Sequence, residues 1–247
     1  MPKISPFEKH AEQYERWFVK NSLVYKAELR AVKAMLPSKG DGVEIEVGTG
    51  RFAEPLGIKI GVEPSKRMRE IAQKRGIHVL DGVAERLPFN DYAFDFVLMV
   101  TTICFVDDIE RSLLEAYRIL SSGGILVIGF VDRDSMVGKM YAGRQNENLF
   151  YKEATFFSVD GLVGHMNRAG FVDLTLNQTI FGMLSEITND EPVKPGHGEG
   201  SFVVIRGRKE ESKGDGNPEE EQGAHEKMSC STRKKPFLRK IPKKWAC

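Results

Sequence analysis

The sequence of 247 residues has few cysteines, and their spacing indicates neither a disulfide framework nor a metal site. The three cysteines, Cys104, Cys230 and Cys247, are odd in number and far apart, and no CxxC pair predicts a zinc site. Disulfide-rich domains are typical of oxidising compartments, so this scarcity predicts a protein of a reducing compartment.

A long apolar segment is also missing. The longest apolar run, residues 94–100, is interrupted by Asp95 and is far too short to span a bilayer. The first ten residues lack the apolar core of a secretory signal. We therefore predict a cytoplasmic protein without a membrane span.

Neither sign of charge dominates the chain. The 36 Lys and Arg residues against 35 Asp and Glu residues give a net charge of +1, which argues against a globally basic nucleic-acid binder. The C-terminal stretch 209–247 has too few apolar side chains to offset the entropy of ordering. Its last part, residues 228–247, contains seven basic residues and no acidic residue. We predict that this charged tail is disordered, and because it contains no recognisable reading motif, nucleic acid is not expected as a partner.

Apolar patterning divides the rest of the chain into two parts. Residues 1–40 contain two predicted cap helices, and the second has Leu23, Leu29, Val32 and Leu36 on its apolar stripe. Residues 41–208 alternate short apolar runs with helical segments, which predicts an α/β fold with a mostly parallel sheet and helices on both faces. The seven predicted strands are 43–47, 58–62, 77–80, 94–100, 125–131, 171–180 and 201–206, the last at or near an edge. The predicted helices begin at Ser65, at Asp107 or Asp108, and at Ser158, while 132–154 is a polar connector.

A glycine turn follows the first predicted strand. Gly48 and Gly50 allow backbone N–H groups to approach a ligand, Glu46 precedes them, and Glu63 ends the second strand. Ligands of open α/β sheets bind at the carboxyl ends of such strands, and a carboxylate there can accept hydrogen bonds from a ribose diol. The alternative is a turn that serves close packing only.

Two ligands are compatible with this turn. Residues 48–53 match the dinucleotide pattern G-x-G-x-x-A, which by itself is a weak signal. However, only fifteen residues separate Gly48 from Glu63, and a diphosphate would not favour the acid at position 46. A ligand with a positive group suits Glu46 better.

Four ordered motifs narrow the choice. Residues 43–50 read VEIEVGTG, and residues 84–89 read AERLPF with FDFV following at 94–97. Residues 113–120 read LLEAYRIL before GGIL, and the N-terminal segment has the pattern F…Y-E-x-W-F. Over roughly residues 7–208 these motifs resemble class I S-adenosylmethionine-dependent methyltransferases of the ubiquinone-biosynthesis type (methyltransferase type 11).

The resemblance implies a Rossmann-like fold, S-adenosylmethionine as the cofactor and a small-molecule methyl acceptor. Gly48 and Gly50 would face its methionine part, Glu46 its amino group, and Glu63 both ribose hydroxyls. Ala84 would offer a backbone N–H to adenine, beside Glu85 and Leu87. The remaining cofactor-binding residues implied are Tyr14, Thr49, Pro64, Thr101 and Thr102.

The sequence departs from the family pattern at several positions. Val83 replaces an acid that often contacts adenine, Phe52 replaces a third glycine, and the first crossover helix must be very short. Cys104 and Phe105 stand where relatives often carry paired histidines.

No side chain stands out as a general base, so the catalytic residues remain open. Surface positions are expected for His10 and His165 and core packing for Tyr14, while Tyr141 is a candidate to point at the substrate. Arg51 is predicted to grip a carboxylate or to be solvated, and Cys104 to be a small buried hydrophobe. Asp107 and Asp108 are assigned to helix capping rather than to magnesium, and no metal is expected.

Two alternatives to a methyltransferase stay open at this level. One is an NAD(P)-linked oxidoreductase that uses the same glycine turn. The other is a non-enzymatic protein that binds nucleic acid or a partner through its basic tail.

Overall fold

The computed structural model describes residues 5–211, so almost all of the predicted disordered tail lies outside the described residues. The helices are α1 (Ser5–Lys20), α2 (Ser22–Met35), α3 (Ala53–Leu56), α4 (Lys66–Lys74), α5 (Ile109–Ile119), α6 (Met136–Gly143) and α7 (Val159–Arg168). The strands are β1 (Gly42–Ile45), β2 (Ile60–Val62), β3 (His78–Leu80), β4 (Phe94–Val100), β5 (Leu120–Val131), β6 (Phe171–Thr179), β7 (Lys194–Pro195) and β8 (Phe202–Lys209). Short 3-10 turns lie at Gln145–Glu147 and Leu184–Glu186.

These strands form one sheet in the order β3-β2-β1-β4-β5-β8-β6-β7. The neighbours from β3 to β5 are parallel, and β8 is antiparallel to both β5 and β6. The mostly parallel α/β sheet with an antiparallel last strand is therefore confirmed, but it has eight strands rather than the predicted seven, because the two-residue strand β7 also pairs with β6. The last strand is near the edge of the sheet but not at it, because β8 pairs with both β5 and β6 and its apolar residues 202–205 are buried on both faces.

Helices cover both faces of the sheet, as the doubly wound prediction requires. Apolar residues of α5 and α7 pack on one face, and apolar residues of α2, α3, α4 and α6 pack on the other. Ser65 and Ser158 cap α4 and α7 by accepting backbone N–H bonds, and α3 has only four residues. None of the helices within residues 5–211 combines the length and the apolar character needed to cross a membrane.

Three local predictions are corrected. The polar connector contains α6, which Ser135 caps by accepting the Gly138 N–H. The predicted strand 125–131 begins earlier, at Leu120, because a register shift against β4 accommodates residues 121–124 within β5. The domain boundary at 208 falls one residue short, since Lys209 is in β8 and its buried ammonium donates to the carbonyls of Tyr117 and Leu120.

Candidate functional site

A cavity of about 890 Å³ lies at the carboxyl ends of β1, β2 and β4, covered by α1 and by the segment around α6. We call the first group of lining residues the acidic part, and it consists of Glu46, Gly48, Glu63, Pro64 and Met68. We call the second group the aromatic wall, and it consists of Phe7, Tyr14, Trp17, Phe105, Tyr141, Phe150 and Tyr151. Val100, Thr101 and Thr102 at the end of β4 also line the cavity.

The turn after β1 has an unusual backbone. Glu46, Gly48 and Gly50 all have positive φ, at 52°, 55° and 83°. A Cβ atom on Gly50 would lie 2.4 Å from Cδ1 of Ile77, so glycine is needed there for packing as well as for conformation. At Gly48 the nearest atom to such a Cβ is the Tyr14 hydroxyl, at 3.6 Å, so α1 closes over the turn.

Glu63 links this turn to the next strand. Its carboxylate accepts hydrogen bonds from the Gly48 N–H at 2.9 Å and from the Ser65 N–H at 2.8 Å. Burial raises its pKa to about 7, against the opposing effect of these N–H groups and of Arg69. A carboxylate has about four acceptor positions, so two remain for a ligand in the cavity.

Glu46 places a second carboxyl group in the acidic part. Burial raises its pKa well above the usual value, and the charge of Glu63 raises it further, while the Ala84 N–H acts in the opposite direction. Two close acids in a poorly solvated cavity favour a ligand that carries a positive charge.

The end of β4 is tied to the end of β1. The Thr102 hydroxyl donates to the carbonyl of Ile45 at 3.1 Å, and Thr101 has a φ of 55° with its N–H bonded to Gly129. This bond holds the two strand ends that border the cavity in a fixed relation.

The structure brings together seven of the twelve sequence-predicted cofactor residues. Those that line the cavity are Tyr14, Glu46, Gly48, Glu63, Pro64, Thr101 and Thr102. The other five, Thr49, Gly50, Ala84, Glu85 and Leu87, do not line it. Their predicted contacts with a cofactor stay predictions.

Protein contacts engage most of these five residues. The Thr49 hydroxyl donates to Glu15 at 2.5 Å, and the Leu87 N–H donates to Glu115 at 2.8 Å. The Glu85 carboxylate accepts the N–H groups of Asp107 and Asp108.

Other candidates also have structural roles. Asp108 caps α5 by accepting the Arg111 N–H, which agrees with the capping assignment. Within residues 5–211 no cluster of three or more His, Cys, Asp or Glu side chains could hold a metal ion. His165 lies near Glu110 and Phe157, away from the cavity. The Cys104 thiol is partly buried in a smaller neighbouring cavity and donates to the Thr101 carbonyl.

Sequence analysis missed the buried Glu28 and two residues of the aromatic wall, Phe150 and Tyr151. Phe150 and Tyr151 lie in the segment interpreted as a polar connector, and Glu28 lies on the buried face of α2. The aromatic residues within 141–157 were the available signal, because a solvated connector would not be expected to contain so many large rings.

Ion pairs hold α1 over the glycine turn. Glu15 accepts hydrogen bonds from Arg51 at 2.5 Å and from Arg75 at 2.6 Å, in addition to the Thr49 bond. Burial works to raise the pKa of Glu15, but these donors outweigh it and the pKa is lowered. Arg51 therefore binds a carboxylate of this chain, and it also lies over the Phe18 ring.

We expect Glu15→Gln to lower the free energy of unfolding by about 1–3 kcal/mol, because two half-buried arginines lose their anion. The matched control is Glu12→Gln on the same helix, whose ion pair with Arg67 is exposed to solvent and therefore contributes little to stability. Urea unfolding of the two variants measures the difference. Equal effects of the two substitutions would contradict the role of Glu15.

Comparisons with known proteins agree on one family. A sequence profile described as a methyltransferase domain matches residues 43–128. A crystal structure of a SAM-dependent methyltransferase from Thermotoga maritima, named a possible histamine N-methyltransferase, is 57% identical with a TM-score of 0.82, over 84% of this chain and 100% of that one.

Two further proteins are similar to this chain at lower sequence identity. An uncharacterised protein of Methanocaldococcus jannaschii is 45% identical over 83% of this chain and 100% of its own length. A ubiquinone/menaquinone biosynthesis C-methyltransferase of Desulfotalea psychrophila is 28% identical over 62% of this chain and 74% of its own length.

Proposed function

Because the chain belongs to the S-adenosylmethionine-dependent methyltransferases, we propose that its large cavity binds the cofactor at the acidic part and a small-molecule methyl acceptor against the aromatic wall. The observation that carries this proposal is Glu63, a buried carboxylate that faces the cavity and has acceptor positions left over after its two backbone bonds. Family membership also decides against the NAD(P)-linked and non-enzymatic alternatives.

The residues of the acidic part fit this cofactor. Glu63 would hold the ribose hydroxyls, Gly48 would leave room for the methionine part, and Glu46 would face its amino group. The two acids favour a ligand that carries an ammonium and a sulfonium, because a positive charge beside them offsets the burial that raises their pKa values, whereas a diphosphate would raise these pKa values further. The cofactor supplies an activated methyl group on sulfur.

The protein's share of the reaction is mainly positioning. Thr101 and Thr102 fix the strand end beside the cavity, and α1 with the aromatic wall keeps water away from the reacting atoms. Orienting two bound reactants for an in-line displacement can supply several kcal/mol, roughly 7–11 in favourable cases.

The aromatic wall favours binding of a small methyl acceptor that has an apolar or aromatic body. Its rings are in contact with one another, with centroids 4.9 Å apart for Phe7 and Phe105 and 4.7 Å apart for Tyr141 and Tyr151. The names of two relatives refer to methylation in ubiquinone and menaquinone biosynthesis and to a possible methylation of histamine.

The test is transfer of a labelled methyl group from S-adenosylmethionine to small aromatic compounds. We expect labelled product with the wild-type chain and a loss of about 100-fold or more with Glu63→Ala. No labelled product from a broad metabolite extract, together with no binding of S-adenosylhomocysteine by calorimetry, would overturn the proposal.

A further inference from the structure

Glu28 is a buried carboxyl group inside the cavity with no assigned role. It lies on α2 among the buried residues Val24, Ala27, Ala31 and Val32, is 7% exposed, and lines the cavity. Within residues 5–211 neither a hydrogen bond nor an ion pair engages its oxygens. A carboxyl group in this position is costly for the fold unless a ligand provides its partner.

The aromatic wall lines the same cavity as this carboxyl group. The charge of Glu28 is among the causes that raise the pKa values of Tyr14, Tyr141 and Tyr151, after the larger effect of burial, so all three hydroxyls lie within the electrostatic range of its carboxyl group. These rings come from α1, α6 and the segment after α6, and each stays neutral at ordinary pH. Aromatic faces next to a carboxylate form the combination that recognises organic cations.

The charge of the cavity points in the same direction. Four acids line it: Glu28 and Glu63 are buried, Glu46 is partly buried and Glu147 is exposed. The lining bases, Arg16 and Lys20, are exposed on α1. Glu46 and Glu63 are accounted for by the cofactor under the proposed function. Glu28 therefore remains as the anion for a second positive ligand.

We propose that Glu28 binds the amino group of the methyl acceptor, and that the acceptor is an amine with an aromatic or apolar body. This inference rests on the proposed function, because it takes the acidic part to be occupied by the cofactor. A phenol or alcohol would give Glu28 a hydrogen bond but would bring no charge to match it.

The bound amine must lose a proton before it can accept a methyl group. Glu28 takes this proton from the ammonium, and the freed lone pair on nitrogen forms the new N–C bond. The bond between methyl and sulfur breaks with its electron pair on sulfur, so the products are a methylated ammonium and a neutral thioether. Burial raises the pKa of Glu28 to about 8, which brings it near that of an amine and makes the proton transfer efficient.

The experiment compares four matched probes: phenethylamine and tryptamine as amines, 2-phenylethanol as an alcohol, and 3-phenylpropionate as an anion. Binding to the full chain saturated with S-adenosylhomocysteine is measured by calorimetry, and methyl transfer is measured with labelled S-adenosylmethionine. We expect the amines to bind and to be methylated, with the alcohol and the anion at least about tenfold weaker.

The variant Glu28→Gln replaces the carboxyl group by an amide of the same shape. It tests the role of Glu28 separately from cofactor binding, on which the proposed function depends. We expect it to lower kcat/KM for the amines by about 100-fold while leaving affinity for S-adenosylhomocysteine within about twofold. The control Glu153→Gln removes an exposed acid that does not line the cavity, and should change neither quantity.

Three results would overturn the role of Glu28. They are failure of every amine to bind at millimolar concentration, preference for the alcohol, and amine kinetics in Glu28→Gln within about threefold of the wild type. Failure of the wild type to bind S-adenosylhomocysteine would instead overturn the proposed function.

Discussion

Replacing Glu63 by alanine is expected to weaken binding of S-adenosylhomocysteine by about 100-fold or more, because two hydrogen bonds to a charged acceptor are lost at about 1.5–3 kcal/mol each. Glu63→Gln keeps one acceptor oxygen and should give an intermediate loss. Calorimetry measures both affinities, and thermal melting checks that the variants fold. Glu70→Gln is the matched control, since that acid is exposed on α4 outside the cavity.

The same residue makes cofactor binding depend on pH. Burial raises the pKa of Glu63 to about 7, and only the ionised carboxylate accepts bonds from both ribose hydroxyls. Affinity in the wild type should therefore fall as the pH drops below 7. In Glu63→Gln, the affinity for S-adenosylhomocysteine should vary less with pH, because the side chain at position 63 no longer titrates. Affinity of Glu63→Ala within about threefold of the wild type would contradict the assignment of Glu63 to the ribose.

Glu28→Gln is expected to stabilise the folded protein, by on the order of 2–4 kcal/mol at pH 8. Burial raises the pKa of the Glu28 carboxyl group from 4.5 to about 8, and each tenfold change in proton binding corresponds to about 1.4 kcal/mol. Relaxation of the cavity around the ionised carboxylate makes the expected gain in stability smaller than the full pKa shift would give. A residue that lowers stability in this way is typical of a binding site.

The sign of the pH dependence follows from the raised pKa. The folded state binds more protons than the unfolded state between pH 4.5 and about 8, so the Glu28 contribution to stability is lost progressively as the pH rises through this window. The variant should thus exceed the wild type by little near pH 5 and by most near pH 8. Urea unfolding of both proteins at several pH values measures this difference in the free energy of unfolding. The contributions of the other titrating groups are the same in both proteins and cancel in the difference.

Glu153→Gln serves again as the control, with an expected effect of less than about 0.5 kcal/mol at every pH. A constant difference between Glu28→Gln and the wild type from pH 5 to pH 8 would contradict the burial of an ionisable carboxyl group at this position.

Local signals in the sequence predicted most of the helices and strands. Ser65 and Ser158 accept the N–H bonds expected of helix caps, and the short distance between Phe52 and Ile58 does limit the first crossover helix to one turn. Strand order could not be predicted in the same way. The position of β8 between β5 and β6 depends on pairing between distant segments, for which an apolar run alone gives no register.

The site was only partly predictable for a related reason. Glycines and acids at strand ends carry a strong local signal, so Glu46, Gly48 and Glu63 could be named from sequence. The apolar stripe predicted for α2 does pack on the core, since Val32 is fully buried and Leu29 is partly buried, but the buried face also carries Glu28. A stripe defined by apolar residues cannot reveal a buried acid, because the acid is counted as solvated.

The most direct test of the account is a crystal structure of the chain with S-adenosylhomocysteine bound. The account predicts the ribose hydroxyls on the Glu63 carboxylate, with the amino end of the ligand toward Glu46 and the space beside Glu28 left open for the acceptor. A ligand bound away from Glu63, or a cofactor that fills the space beside Glu28, would contradict it.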